Sequence, residues 1–145
     1  MQILKRSLWL WPLLLVLIPA TGWADRIEGY LNGLACASKG EMCPTDKDDP
    51  HVLLERDFVI QTEDGKFFYI TNMDWKTKLR YVLRKVRVEG KFSDRSSAIA
   101  ADEFWVKHGD GYRLEWSLER MREKQRRAQQ RQQQQEQSLD QWQQR

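Results

Sequence analysis

The sequence predicts a mainly β fold, a small barrel with one helix inserted in it, followed by a polar helical tail. Residues 58–107 alternate as strand, turn, strand, short helix, strand and strand, through FVIQTEDGKFFYI, DWKTKLRYVL, KVRVEG and SAIAADEFWVK. Apolar residues recur every second position in the strands but at helical spacing in DWKTKLRYVL, which separates the two kinds of element. From residue 117 the composition shifts to Gln, Arg and Glu, with little left to bury.

The amino terminus has the pattern of an export signal. Lys5 and Arg6 precede an almost wholly apolar run from Leu8 to Ile18, and Gly22-Trp23-Ala24 puts small residues at the two positions a signal peptidase reads. Cleavage is expected after Ala24. The run falls short of the ~20 residues that cross a bilayer, and Pro12 interrupts it, so a retained anchor is the weaker alternative. No cysteine follows closely enough for lipid attachment. The expectation is a periplasmic or otherwise exported protein, with no stable membrane insertion once the signal is removed. Residues 25–116 then form one barrel domain with a modest core, and 117–145 form the tail.

The formal charge of +3 conceals an uneven distribution. Residues 25–116 hold 15 basic and 17 acidic side chains, whereas 117–145 hold seven basic and four acidic ones. The body therefore has no electrostatic reason to seek nucleic acid.

Cys36 and Cys43 are the only cysteines, an even pair in a chain bound for an oxidising compartment. A disulfide staple is expected. Redox catalysis favours a tighter C-x-x-C pair beside a cation or a helix start, and zinc needs more than two ligands, with only His51 and His108 to add.

Residues 26–37 leave two readings. Ile27, Leu31, Leu34 and Ala35 have helical spacing, while Gly29 and Gly33 each weaken a helix by ~1 kcal/mol. A coiled first strand suits a barrel better and is the reading adopted. SKGEMCPTDKDDPH, at 38–51, has the composition of a loop. Phe58 and Ile60 alternate with Val59 and Gln61, Asp64-Gly65 turns the chain, and Phe67 to Ile70 returns with aromatics on both faces, so both faces of this hairpin are expected to be at least partly covered. Asp74 is the expected N-cap of a helix with Trp75, Leu79, Val82 and Leu83 on one stripe, opposite Lys76, Lys78, Arg80 and Arg84. Val86 and Val88 alternate with charged residues up to Gly90, giving a strand with one wet face. Phe104 and Val106 continue the alternation. The HGDG at 108–111 turns the chain, with His108 a turn residue, and Tyr112, Leu114 and Trp116 line a last strand.

A three-strand start, a helix between strands three and four, V-x-V-E-G ending the fourth strand and A-I-A-A-D-E-F leading the fifth resemble the oligonucleotide/oligosaccharide-binding (OB) barrel, a Greek-key fold. The resemblance is to small exported bacterial members and covers about residues 27–107. Ligands of this fold commonly lie across strands two and three and the adjoining loops. That implies a ligand face with Phe58, Ile60, Phe67 and Tyr69, beside Trp75, Lys76 and the 38–51 loop. The additional last strand and the long tail depart from the minimal pattern.

Phe67, Phe68 and Tyr69 offer stacking surfaces for single-stranded nucleic acid, with Lys66, Lys76, Lys78 and Arg80 for phosphates. Glu63, Asp64, the DKDD run at 46–49 and the exported address argue against such a ligand. Catalysis finds no anchor either. No Ser, His and acidic residue form a nucleophile motif, and Asp46, Asp48, Asp49 and His51 lack the ladder of a calcium loop. No catalytic residue, cofactor or metal ligand set is assigned.

Nearly every residue from Leu118 to Gln137 favours a helix, and Glu123 sits four before Arg127. Leu118, Met121, Ala128, Leu139 and Trp142 are too sparse for a coiled coil over several heptads. The tail is read as a frayed solvated helix or a disordered extension, with a docking arm as the alternative. In the second case Arg120, Arg126, Arg127 and Arg131 meet an acidic partner and Trp142 is the apolar anchor. The leading expectation for function is a non-catalytic periplasmic accessory module that contacts an envelope protein. The runner-up is a barrel for oligosaccharide or another anionic polymer, and a thiol-active envelope protein comes third.

Overall fold

The structure, a computed structural model, describes residues 24–43 and 50–143. The expected export signal and the acidic run at 46–49 lie outside the described residues.

Five strands close a barrel. β1 (Asp25–Gly33), β2 (Phe58–Gln61), β3 (Phe67–Ile70), β4 (Lys85–Ser93) and β5 (Ala98–His108) are joined in the circular order β1, β2, β3, β5, β4, and β4 returns to β1. The pairings are antiparallel except for β3 with β5, which run parallel through Tyr69 opposite Ala98 and Ile70 opposite Ile99. β6 (Gly111–Ser117) lies outside the ring, paired to β5. α1 (Leu34–Ser38) and α2 (Pro50–Leu53) connect β1 to β2, α3 (Trp75–Leu79) connects β3 to β4, and α4 (Leu118–Gln143) follows β6. Among the described residues no helix is long and apolar enough to cross a membrane.

The two readings of residues 26–37 each hold for part of the segment, which is strand to Gly33 and helix from Leu34. Gly29 has the tighter constraint. A Cβ there would sit 2.3 Å from the Gln61 carbonyl oxygen, so only glycine lets β1 and β2 approach this closely. β4 does not end at Gly90, as the V-E-G pattern suggested, but continues to Ser93 past a register shift between Glu89 and Gly90. The bulge re-aims the strand, so Phe92 reaches Ile99 and the ring closes.

The barrel interior is filled by Leu31, Phe58, Ile60, Val86, Val88, Ile99, Phe104 and Val106, all fully buried. β4 shows the clean alternation expected of one dry and one wet face. α3 is shorter than its apolar stripe, because turns replace the helix after Leu79 and Leu83 takes a left-handed φ of 63°. The stripe is still used, with Val82 fully buried and Trp75, Leu79 and Leu83 packed on the core. Asp74 caps α3, accepting the Thr77 amide at 2.9 Å, and hydrogen bonding from Thr77 holds its carboxyl below the ordinary range. Lys78 does not lie on the solvated side. It is 2% exposed and pairs with Asp57, while its amine lies 3.5 Å from the Ile70 carbonyl. An ammonium on a flexible stem reaches across the helix to a carboxylate more cheaply than it sits unpaired in a protein interior.

Candidate functional site

The expected ligand face is divided by the fold. Phe58 and Ile60 belong to the core and present no surface to a ligand, which corrects their assignment. All four β2 residues are buried, because the barrel interior covers one face while α1 and α3 lie against the strand. Phe58 packs 5.6 Å from the ring of Trp75. Phe67 and Tyr69, by contrast, are half-buried side by side, their rings 6.0 Å apart and edge-on, while Phe68 packs against Phe92. Two adjoining clefts run along β3 and share Tyr69 and Ser96. One of about 450 Å³ includes Trp75 and Lys78 in its lining, and one of about 460 Å³ includes Lys66, Phe67 and Arg95. Lys76 is exposed on α3 and lines neither.

The charges along this face are partly committed. Lys66 pairs with Asp64 at 2.8 Å, and the hydrogen bond from Lys66, with a second from Thr62, lowers the Asp64 carboxyl to about 2. Trp75 is fixed by its indole N–H, which donates to the Glu55 carbonyl at 2.9 Å.

A third cleft, of about 420 Å³, opens beside the cysteines, with Leu34, Cys36, His51, Leu54 and Glu55 in its lining. Cys36 and Cys43 form a disulfide, with Cα atoms 5.5 Å apart. Asn32, fully buried at the end of β1, clamps the loop that the disulfide closes. Its Oδ1 accepts the amides of Gly33 and Cys43, both at 2.9 Å, and its Nδ2 donates to the Glu41 carbonyl at 2.7 Å. Glu55 follows the turn after α2. One carboxylate oxygen accepts the Ala35 amide at 2.9 Å; the other lies 3.5 Å from Cys36 Sγ and 3.8 Å from Cys43 Sγ. Because disulfide sulfurs carry no proton, these are contacts and not hydrogen bonds. A Cβ on Gly33 would come within 2.4 Å of the same carboxylate. Leu53 and Leu54 are exposed nearby, at 55% and 78%. Nothing in LLERD sets Glu55 apart from a solvated glutamate in the sequence, so its role at the sulfurs is visible only in three dimensions. Replacing both cysteines by serine should lower the unfolding free energy by about 2.5 kcal/mol through a freer unfolded loop, with the barrel retained. Urea denaturation with far-UV circular dichroism checks both parts.

His108 ends β5 opposite Gly111 and does not sit in the turn itself. Its Nε2 is buried 3.2 Å from Glu115 Oε1 and forms an ion pair there only when the imidazole is protonated. Glu115 also accepts from Arg113 and from the Tyr81 hydroxyl at 3.0 Å, and the Arg113 hydrogen bond leads in lowering its carboxyl. Burial, then Glu115, raises the Tyr81 phenol. This cluster ties β6 to the chain after α3.

The tail is a single helix. α4 holds Leu118 and Met121 against the core, and from Arg122 to Trp142 its side chains are exposed, among them Arg126, Arg127 and Arg131. Arg120 is exposed in the first turn, Arg127 pairs with Glu123, and Leu139 and Trp142 near the far end are 61% and 72% exposed. The chain matches no protein-family model, no curated protein and no solved structure.

Proposed function

We propose that this chain is a non-catalytic, extracytoplasmic interaction module in which an OB-like barrel carries a helical arm to an envelope protein. The helical arm is the observation that carries this reading. At 1.5 Å per residue, 26 helical residues extend about 39 Å, and among the described residues α4 meets the core through Leu118 and Met121 in its first turn. A polar helix of this kind adds little to the stability of the barrel, since most helical stability in proteins comes from packing an apolar face. Its exposed Arg residues suit an acidic partner surface, with Leu139 and Trp142 as apolar contacts. The circular strand order, with β3 parallel to β5, supports the OB-like reading of the barrel.

A ligand-binding barrel is the second reading, and the β3 clefts favour it. Phe67, Tyr69 and Trp75 line an outer face whose clefts have the volume of small-ligand sites, with Arg95 beside them.

Affinity capture from solubilised envelope separates the two, using residues 25–145 beside a 25–116 truncation and quantitative mass spectrometry. The arm reading expects one reproducible partner that the truncation loses by at least about tenfold and that Leu139→Ala/Trp142→Ala weakens. A partner held equally by both forms would sink the arm as the contact element. No enrichment with either would move the function to the β3 face.

A further inference from the structure

The cleft beside the cysteines holds more donor chemistry than a staple uses. Cys36 Sγ, Cys43 Sγ and a Glu55 carboxylate oxygen all lie within 4.8 Å of one another. Glu55 is only 8% exposed, and the oxygen that faces the sulfurs gains no hydrogen bond from them while they are joined. Burying a carboxylate against a group that cannot donate is unfavourable, whereas the same oxygen beside two thiolates completes a donor set for a metal.

We infer that reducing the Cys36–Cys43 disulfide opens a site for one thiophilic divalent cation of the zinc class, held by both thiolates and the Glu55 carboxylate. A dithiol supplies two electrons and two protons, itself becoming a disulfide, and leaves two thiols. The cation then displaces both thiol protons to solvent. With Zn–S at about 2.3 Å, a tetrahedral centre holds its two sulfurs about 3.8 Å apart. Cysteines whose Cα atoms are 5.5 Å apart reach that spacing by rotating their side chains, without moving the backbone. The loop keeps its shape in the reduced state because Asn32 holds Glu41 and Cys43 through hydrogen bonds independent of the sulfurs. Three protein ligands leave a fourth position for water in the cleft. Two thiolates and a carboxylate exceed the charge of a dication by one, and Lys39 and Arg56 in the cleft lining, less the charge of Glu41 there, offset it.

The test is a cobalt titration of the 25–145 chain, reduced with a trialkylphosphine under nitrogen and monitored by far-UV circular dichroism. One equivalent of Co²⁺ should produce thiolate-to-cobalt charge transfer and the strong visible bands of a tetrahedral site, and Zn²⁺ should bleach both. The oxidised chain should leave the cobalt spectrum aqueous. In the reduced state, Glu55→Gln should bind Zn²⁺ at least about tenfold more weakly in competition with a chromophoric chelator. Cys36→Ser, which removes a different ligand, should lose the tetrahedral spectrum. An aqueous spectrum in the reduced wild-type chain overturns the inference, as does loss of the barrel on reduction. Undiminished affinity in folded Glu55→Gln, or an unchanged cobalt spectrum in Cys36→Ser, overturns the three-ligand site.

Discussion

Phe104→Ala should destabilise the barrel by about 4 kcal/mol, the largest loss expected from a single side-chain truncation here. Phe104 is fully buried and lies where three strands meet, opposite Val88 on β4 and Trp116 on β6, with the Tyr81 ring 5.6 Å away. Truncation removes a phenyl group from water-excluded surroundings and leaves a void that β4, β5 and β6 are all hydrogen-bonded too firmly to close. Phe104→Leu keeps most of the volume and should cost about 1 to 1.5 kcal/mol. Guanidinium denaturation of both variants checks the ratio. A loss below about 1 kcal/mol for Phe104→Ala would show that the site collapses freely and that the junction is not close-packed.

Gly90→Ala should cost about 3 kcal/mol, although it adds only a methyl group. A Cβ at Gly90 would lie 2.1 Å from the Ala100 carbonyl oxygen and 2.9 Å from the Ala101 Cα. Both are backbone atoms of the facing strand, so no side-chain rotation relieves the contact. The β4–β5 pairing must separate at the bulge that bends the ring toward closure. Gly111→Ala is the matched control, since a Cβ there meets nothing within 4 Å and should change stability by less than about 0.5 kcal/mol. Thermal melts of the two variants decide it, and equal melting temperatures would mean that the bulge yields without cost.

Much of the barrel was legible because its strands bury alternate residues. Val86 and Val88 in β4 and the DG turn between β2 and β3 are local signals, written within a few residues. The Asp74 cap is equally local, since a carboxylate three residues before an amide depends only on helix geometry. The candidate site was far less legible. Phe58 and Ile60 share one face of an alternating strand, and only closure of the ring turns that face into the barrel interior and takes them out of reach. The pair of Lys78 and Asp57 spans 21 residues and the approach of Glu55 to Cys36 spans 19. No periodicity connects positions that far apart.

The sequence alone determined the alternating strands, their turns, the capped helix and the helix-forming polar tail, because each follows from side-chain types within one turn or one pleat. Tertiary structure decided the closure of β3 on β5, the placing of Phe58 and Ile60 inside the ring, the inward turn of Lys78 and the meeting of Glu55 with the disulfide. Closing a ring of strands brings distant segments to fixed separations, and which side chains then face each other depends on register and on what covers each strand.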